Sequence, residues 1–116
     1  MVFILAVMEA LASKNRLVSK AALVVLEAFV VSFYALKDGN EQREETFSKE
    51  LAQRVSHCCY KAEWQHKSGG CAGIMQLTRC LPLPIVRRHE ILFLKALLFV
   101  LRVTPNDALP PLSACI

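Results

Sequence analysis

The sequence predicts an all-α protein: a slice of an α-solenoid built from antiparallel helix pairs. Three observations lead there. Apolar residues recur at helical spacing along nearly the whole chain, and no segment alternates in the manner of a strand. Two long apolar helices each keep one narrow polar row with a seven-residue repeat: Lys20, Glu27 and Tyr34 in one, Arg88, Lys95 and Arg102 in the other. A helix that is wet along one strip only is expected to be covered on both flanks, as in stacked helical layers. Finally, the breaks are short turns, with no linker that would divide 116 residues into two domains.

Val2 to about Ala12 forms the first helix, and Ser13-Lys14-Asn15 breaks it. Ser13 or Asn15 supplies an N-cap oxygen for the second helix, from about Leu17 to Lys37. Asp38-Gly39-Asn40 ends that helix, with Gly39 free to take the positive φ of a C-terminal cap. Acid from Glu41 to Glu45 loads the start of the third helix, where the macrodipole favours it. Phe47, Leu51, Val55, Cys58 and Ala62 give it an apolar face. Trp64 opens the fourth helix, which carries Gly69, Gly70 and Gly73. Each glycine costs about 1 kcal/mol against alanine in a helix, so close approach of a neighbour over Gly69, Gly70, Ala72 and Gly73 is the expected compensation. Pro82 and Pro84 stop the fourth helix and start a fifth, which runs unbroken to about Val103 and ends at Thr104-Pro105. Its anchor is the run Phe93-Leu94-Lys95-Ala96-Leu97-Leu98-Phe99-Val100, apolar almost all round. Residues 1–105 thus make a helical-repeat segment of five helices, and residues 106–116 a coil tail. Tyr60 and Trp64 are the expected structural anchors, with the Trp64 ring buried.

Hydrophobic residues make up 54% of the chain and mean hydropathy is +0.37. Both are high for a small soluble domain, whose surface demands polar cover. Either a membrane protein or a slice of a larger assembly follows. The membrane reading meets charges: Glu27 interrupts the first apolar stretch and Lys95 sits at the centre of the second. Such charges cost several kcal/mol mid-span. The apolar amino terminus lacks a basic leader and meets Glu9 early, so it reads as the middle of a helix beginning before Met1. Net charge is +4, with the excess in the second half: seven basic residues from Lys61 onward against Glu63, Glu90 and Asp107. These charges are dispersed, which suits a partner-facing helix surface and not direct nucleic-acid binding.

No catalytic or cofactor constellation emerges. The five cysteines, Cys58, Cys59, Cys71, Cys80 and Cys115, are odd in number and read as reduced, small buried hydrophobes. Cys58 and Cys59 point about 100° apart on a helix and no C-x-x-C knuckle exists, which argues against zinc at His57, His66 and these thiols. His57 beside Cys58 in sequence does not put base and thiol together, and His89 beside Arg87 and Arg88 reads as surface. Gly69-Gly70-Cys71-Ala72-Gly73 lacks the Gly-Lys-Ser/Thr and the preceding strand of a phosphate loop.

Taken together, Cys58-Cys59-Tyr60, Trp64, Lys67, Gly69-Gly70, Ile74, Leu81-Pro82-Leu83 and the run Phe93 to Val100 resemble a known family. It is the transformation/transcription domain-associated protein family of coactivator pseudokinase scaffolds, related to the phosphatidylinositol-3-kinase-like kinases. A weaker likeness covers Val2 to Phe29. The resemblance implies a fragment of that family's HEAT-type helical-repeat region, well before its FAT and pseudokinase regions. It implies a non-enzymatic, nuclear scaffold of histone acetyltransferase complexes, without cofactors. Its implied partners are complex subunits, transcription activators and neighbouring helical repeats of a longer chain. A slice without capping repeats is expected to expose apolar end faces and to be sticky. The alternatives are a small helical membrane protein and a HEAT/armadillo-type module of another scaffold.

Overall fold

A computed structural model describes residues 2–36 and 41–103. Six helices follow one another: α1 (Val2–Leu11), α2 (Arg16–Ala35), α3 (Glu41–Cys58), α4 (Trp64–Cys80), α5 (Leu83–Arg88) and α6 (Glu90–Val103). The expected cap at Asp38-Gly39-Asn40, the Thr104-Pro105 stop, the tail 106–116 and Cys115 lie outside the described residues. Among those described, there is no strand.

Helix α4 is the hub. It packs on α1, α2, α3, α5 and α6, while α1 also meets α2 and α3, and α3 meets α6. Antiparallel helix pairs stacked in this way give an elongated body of 49 × 29 × 23 Å. Each helix contributes one apolar row to a continuous core: Ile4, Val7, Met8 and Leu11 from α1, and Ala22, Leu26 and Val30 from α2. Phe47, Leu51, Val55 and Cys58 come from α3, Ile74 and Leu77 from α4, and Phe93, Ala96 and Val100 from α6. The spacing is the three- and four-residue step of an amphipathic helix. Asn15 caps α2, its side chain accepting from the Leu17 N–H at 2.9 Å, while the Ser13 hydroxyl accepts from the Asn15 N–H at 3.1 Å.

The glycines explain how α4 reaches so many neighbours. A Cβ on Gly69 would stand 2.7 Å from the Leu11 carbonyl oxygen, and one on Gly70 would stand 2.9 Å from the Cys59 nitrogen. Both are backbone atoms that cannot swing aside. At Gly73 the obstacle is the Val55 Cγ1 at 2.8 Å, a side-chain and not a backbone atom, though one of a stiff and fully buried valine. Only a bare backbone lets α4 press on the end of α1 and on the turn after α3.

Four expectations are corrected. The expected single fifth helix is two, broken at His89, whose φ of −110° and ψ of 8° leave the helical region. The cause lies on α3, where Ser48 and Glu44 hold His89 and Arg88 (described below). Helix α2 is not covered on both flanks: it packs chiefly on α1 and α4, burying Ala22, Leu26 and Val30, and touches α3 near its C-terminal end, while Val18, Val24, Val25 and Val31 face outward. Trp64 is not a buried anchor: it is 37% exposed because it starts α4, and Tyr60 in the turn before it is 41% exposed. Ala62 falls in that same turn and is exposed, so it does not extend the α3 face.

Two opposed magnitudes give a clean test. Helix propensity alone would make Gly69→Ala stabilising by about 1 kcal/mol. Overpacking against backbone instead costs about 1–3 kcal/mol. Urea denaturation should show Gly69→Ala and Gly70→Ala destabilised and Gly73→Ala affected least. Trp64→Ala should cost less than the roughly 3–5 kcal/mol of a buried ring. A Gly69→Ala protein more stable than the parent would refute the close approach.

Candidate protein-interaction site

Two polar clusters hold the helices in place, and two apolar rows are left facing outward. The first cluster surrounds Lys67, which is 8% exposed. Its ammonium donates to the Cys59 carbonyl at 3.2 Å and lies 4.8 Å from the centre of the Phe99 ring. Cys59 directly follows the last residue of α3, so the cation sits where that helix's unpaired carbonyls and the negative end of its dipole are found. This pairing offsets the burial of a charge that has no carboxylate beside it in the cluster. Tyr60 closes the outside, its ring 4.7 Å from that of Phe99. Cys59, paired with the Cys71 thiol and fully buried, is pushed well above the ordinary thiol value.

The structure therefore brings together Cys59, Tyr60, Lys67, Gly70 and Phe99 from the sequence motif. Cys58, Gly69, Ile74, Leu81, Phe93, Ala96 and Val100 are buried as well, without forming part of that cluster. Leu97 is half-buried, while Pro82, Leu83, Leu94, Lys95 and Leu98 are exposed and separate from the cluster.

Sequence reasoning missed the second cluster. Glu44 on α3 accepts from the Tyr34 hydroxyl at 2.7 Å and from Arg88 Nη1 at 2.9 Å. Arg88 also reaches the Ser48 hydroxyl at 3.4 Å, and His89 Nε2 lies 3.2 Å from the same oxygen. His89 is thus half-buried and engaged, not the surface residue its basic neighbours suggest. Burial pushes the Glu44 carboxyl up, but the hydrogen bonds from Tyr34 and Arg88 outweigh it and hold the group below its ordinary value. Burial, and then Arg88, pull His89 below its ordinary 6.5. Beside this network Phe47 stacks on Phe33 at 3.7 Å and meets Phe29 edge-on at 5.4 Å, fastening α2 to α3. Bonded partners lie up to 44 residues apart, so no spacing rule could have found them.

An open depression of about 310 Å³ is lined by Leu5, Met8, Glu50, Arg54, His57 and Cys58, among others. His57 and Cys58 share it, but burial raises the Cys58 thiol, which therefore stays protonated and weakly nucleophilic. Glu50 and Arg54 at its edge pair with each other at 2.7 Å. Among the described residues, no three His, Cys, Asp or Glu side chains are grouped to hold a metal ion. Cys58, Cys59, Cys71 and Cys80 are all free thiols.

The remaining surface feature is apolar. On α6, Ile91, Leu94, Leu98 and Leu101 are each 52–60% exposed. On α2, Leu17, Val24 and Val31 are 53–77% exposed. Scattered exposed leucines need no explanation, but rows along whole helices mark surfaces that other helices or partners cover. Helix α2 is also long and apolar enough to cross a membrane, with a mean hydropathy of 1.8 over its best window and 17% of that window buried.

Stacked helix pairs around a glycine-notched hub, with outer helices left apolar, define a slice of an α-solenoid: a helical scaffold segment. The chain belongs to the family described as the Tra1 HEAT repeat ring region, which matches residues 1–114. It is similar to the Transformation/transcription domain-associated proteins of zebrafish (Danio rerio) and human (Homo sapiens). Each is 43% identical over 51 residues, which is 44% of this chain and 1% of the relative. The chain thus spans only a very small part of either relative's length. No solved structure matches it.

The depressed values of Glu44 and His89 set the expected pH response. At neutral pH both groups are in the form the fold prefers. On acidification the unfolded chain binds protons before the folded one, so stability falls with pH. Thermal melts should show a first loss as pH drops below the histidine's ordinary 6.5. A second should follow below the carboxylate's ordinary 4.5, as pH falls towards the folded-state value of Glu44. His89→Gln should remove the first step and leave the second; an unaltered profile in that variant would show that His89 does not titrate with folding.

Proposed function

We propose that this chain is a non-catalytic scaffold segment of a transcription-coactivator pseudokinase, working in the nucleus within histone acetyltransferase complexes. The observation that carries this reading is the family match over residues 1–114, joined by the relatives' name, which ties them to transcription. The outward apolar rows on α2 and α6 suit a segment whose work is contact with other helical repeats, complex subunits and transcription activators. The raised thiol of Cys58 and the pairing of Glu50 with Arg54 leave the depression beside His57 without an activated nucleophile, in keeping with a role that involves no chemistry. In this reading the cluster of Cys59, Lys67, Gly70 and Phe99 keeps the α3–α4 turn rigid so that the outer helices are presented in fixed positions.

An antibody raised to Gln42–Lys61 tests it on the endogenous protein. Acetyltransferase subunits should co-precipitate from nuclear extract with a very large band on a denaturing blot. A band near 13.0 kDa that brings down no acetyltransferase subunit would overturn the coactivator role. The length and apolarity of α2 favour a second reading, a small helical membrane protein. Full recovery of the protein in salt extracts without detergent would remove it.

A further inference from the structure

Three residues on one face of α4 converge on Cys59. The Lys67 ammonium donates to its carbonyl at 3.2 Å. Its Sγ lies 2.8 Å from where a Cβ on Gly70 would stand, and its thiol is hydrogen-bonded to that of Cys71. Lys67 and Cys71 are four positions apart on α4, so cation and thiol are neighbours over residue 59. Cys58, Cys59, Cys71 and Cys80 are all free, and within this set Cys59 and Cys71 are the two whose thiols are bonded to each other.

The two thiols differ in setting. Cys59 is fully buried and directly follows the C-terminal end of α3, where burial and the helix dipole both disfavour a thiolate. Cys71 is half-buried in the middle of α4, and the charge of Lys67 acts on it. Lys67 is itself buried with no carboxylate in its cluster, so a thiolate on Cys71 is the counter-charge this cation lacks. The hydrogen bond from Cys59, and with it Lys67, holds the Cys71 thiol below its ordinary value against the opposing effect of burial. Burial instead pushes Cys58 and Cys80 up. A thiol that is partly ionised, open to small solutes and already touching a second thiol has the attributes of an oxidation-sensitive cysteine.

We propose that Cys71 is a site of oxidation by hydrogen peroxide, with Cys59 as the thiol that resolves it to a disulfide. In the first step the Cys71 sulfur attacks one peroxide oxygen. An S–O bond forms, the O–O bond breaks, and the other oxygen leaves as hydroxide, which solvent protonates to water. The sulfur gives up two electrons, the peroxide takes them, and Cys71 is left as a sulfenic acid. In the second step the Cys59 sulfur attacks the Cys71 sulfur. The S–S bond forms, the S–O bond breaks, and the hydroxyl leaves with the Cys59 proton as water. Two thiols and one peroxide thus give one disulfide and two waters. Cys59 is out of reach of the oxidant, and its contact with Cys71 means that the second step needs no search. The product ties the turn after α3 to α4, across the contact that the glycines make close. Disulfides that form in reducing compartments are of this transient, sensing kind. The pairing does not depend on the coactivator reading, because every contact lies within one chain.

Treatment of the reduced, full 116-residue chain with hydrogen peroxide tests it. Free thiols are blocked with N-ethylmaleimide at set times, and the peptides are mapped by mass spectrometry. A Cys59–Cys71 disulfide within one chain should form first, and dithiothreitol should reverse it. Cys58 and Cys80 should be oxidised about tenfold more slowly. In denaturing urea that preference should vanish, because the fold supplies it. Cys59→Ser should leave the sulfenic acid standing on Cys71, where dimedone traps it. Cys59→Ala serves if serine at that buried place fails to fold, and mapping of the parent needs no variant at all. The proposal is overturned if Cys58 or Cys80 is oxidised as fast as Cys71, or if the disulfide joins other residues or separate chains. It is equally overturned if the preference survives in urea, or if oxidised Cys71 in the parent never passes to Cys59.

Discussion

The close contact of α4 with the end of α1 and the turn after α3 is the constraint from which the rest of the architecture follows. Gly69 and Gly70 meet backbone, so these contacts have almost no slack. With α4 so placed, Ile74 and Leu77 enter the shared core, and Lys67 arrives beside the Cys59 carbonyl just past the end of α3. Without that approach the lysine would be a buried cation with no acceptor, and the core would split into the separate faces of loosely associated pairs. The loss of helix propensity at three glycines is local, whereas the gain is spread over five helices.

The two polar clusters are built on different physics. Around Lys67 a single charge is balanced by helix carbonyls and an aromatic face, with little dependence on any one partner side chain. Around Glu44 the balance is carried by discrete hydrogen bonds from Tyr34 and Arg88 to one carboxylate. Removing one member there leaves others unsatisfied, which is the asymmetry that makes partly buried networks expensive to break. Ser56 shows that cost directly: its buried hydroxyl has no partner among the described residues, so its desolvation goes uncompensated.

Helix identity was legible wherever a residue's role is decided within three or four positions of itself. The buried row of α3 and an N-cap oxygen from Ser13 or Asn15 belong to that class, whereas the glycines of α4 showed only a local cost that some distant neighbour had to offset. The break at His89 was not legible, because it depends on Ser48, which is 41 residues earlier and carries no mark in sequence of its distant partner. Trp64 was misjudged for a related reason: an aromatic ring favours burial, but its place at the first turn of α4 leaves part of it in water. The outward rows were not foreseen: the apolar sides of both long helices were expected to be covered. An apolar helix reads as a core helix when the extent of its neighbours is not yet known, so periodicity gave the face and not its occupant.

The interruption between α5 and α6 has a mechanical meaning. A continuous helix would fix the direction of its outer residues by core packing alone. Here α6 starts afresh at Glu90: Arg88 and His89 just before it are tied to Glu44 and Ser48 of α3, while Phe93, Ala96 and Val100 seat it in the core. The polar tie and the apolar face hold the same short helix from its start and from its side. A helix held at both places resists rolling about its own axis, so Ile91, Leu94, Leu98 and Leu101 keep one bearing towards the outside.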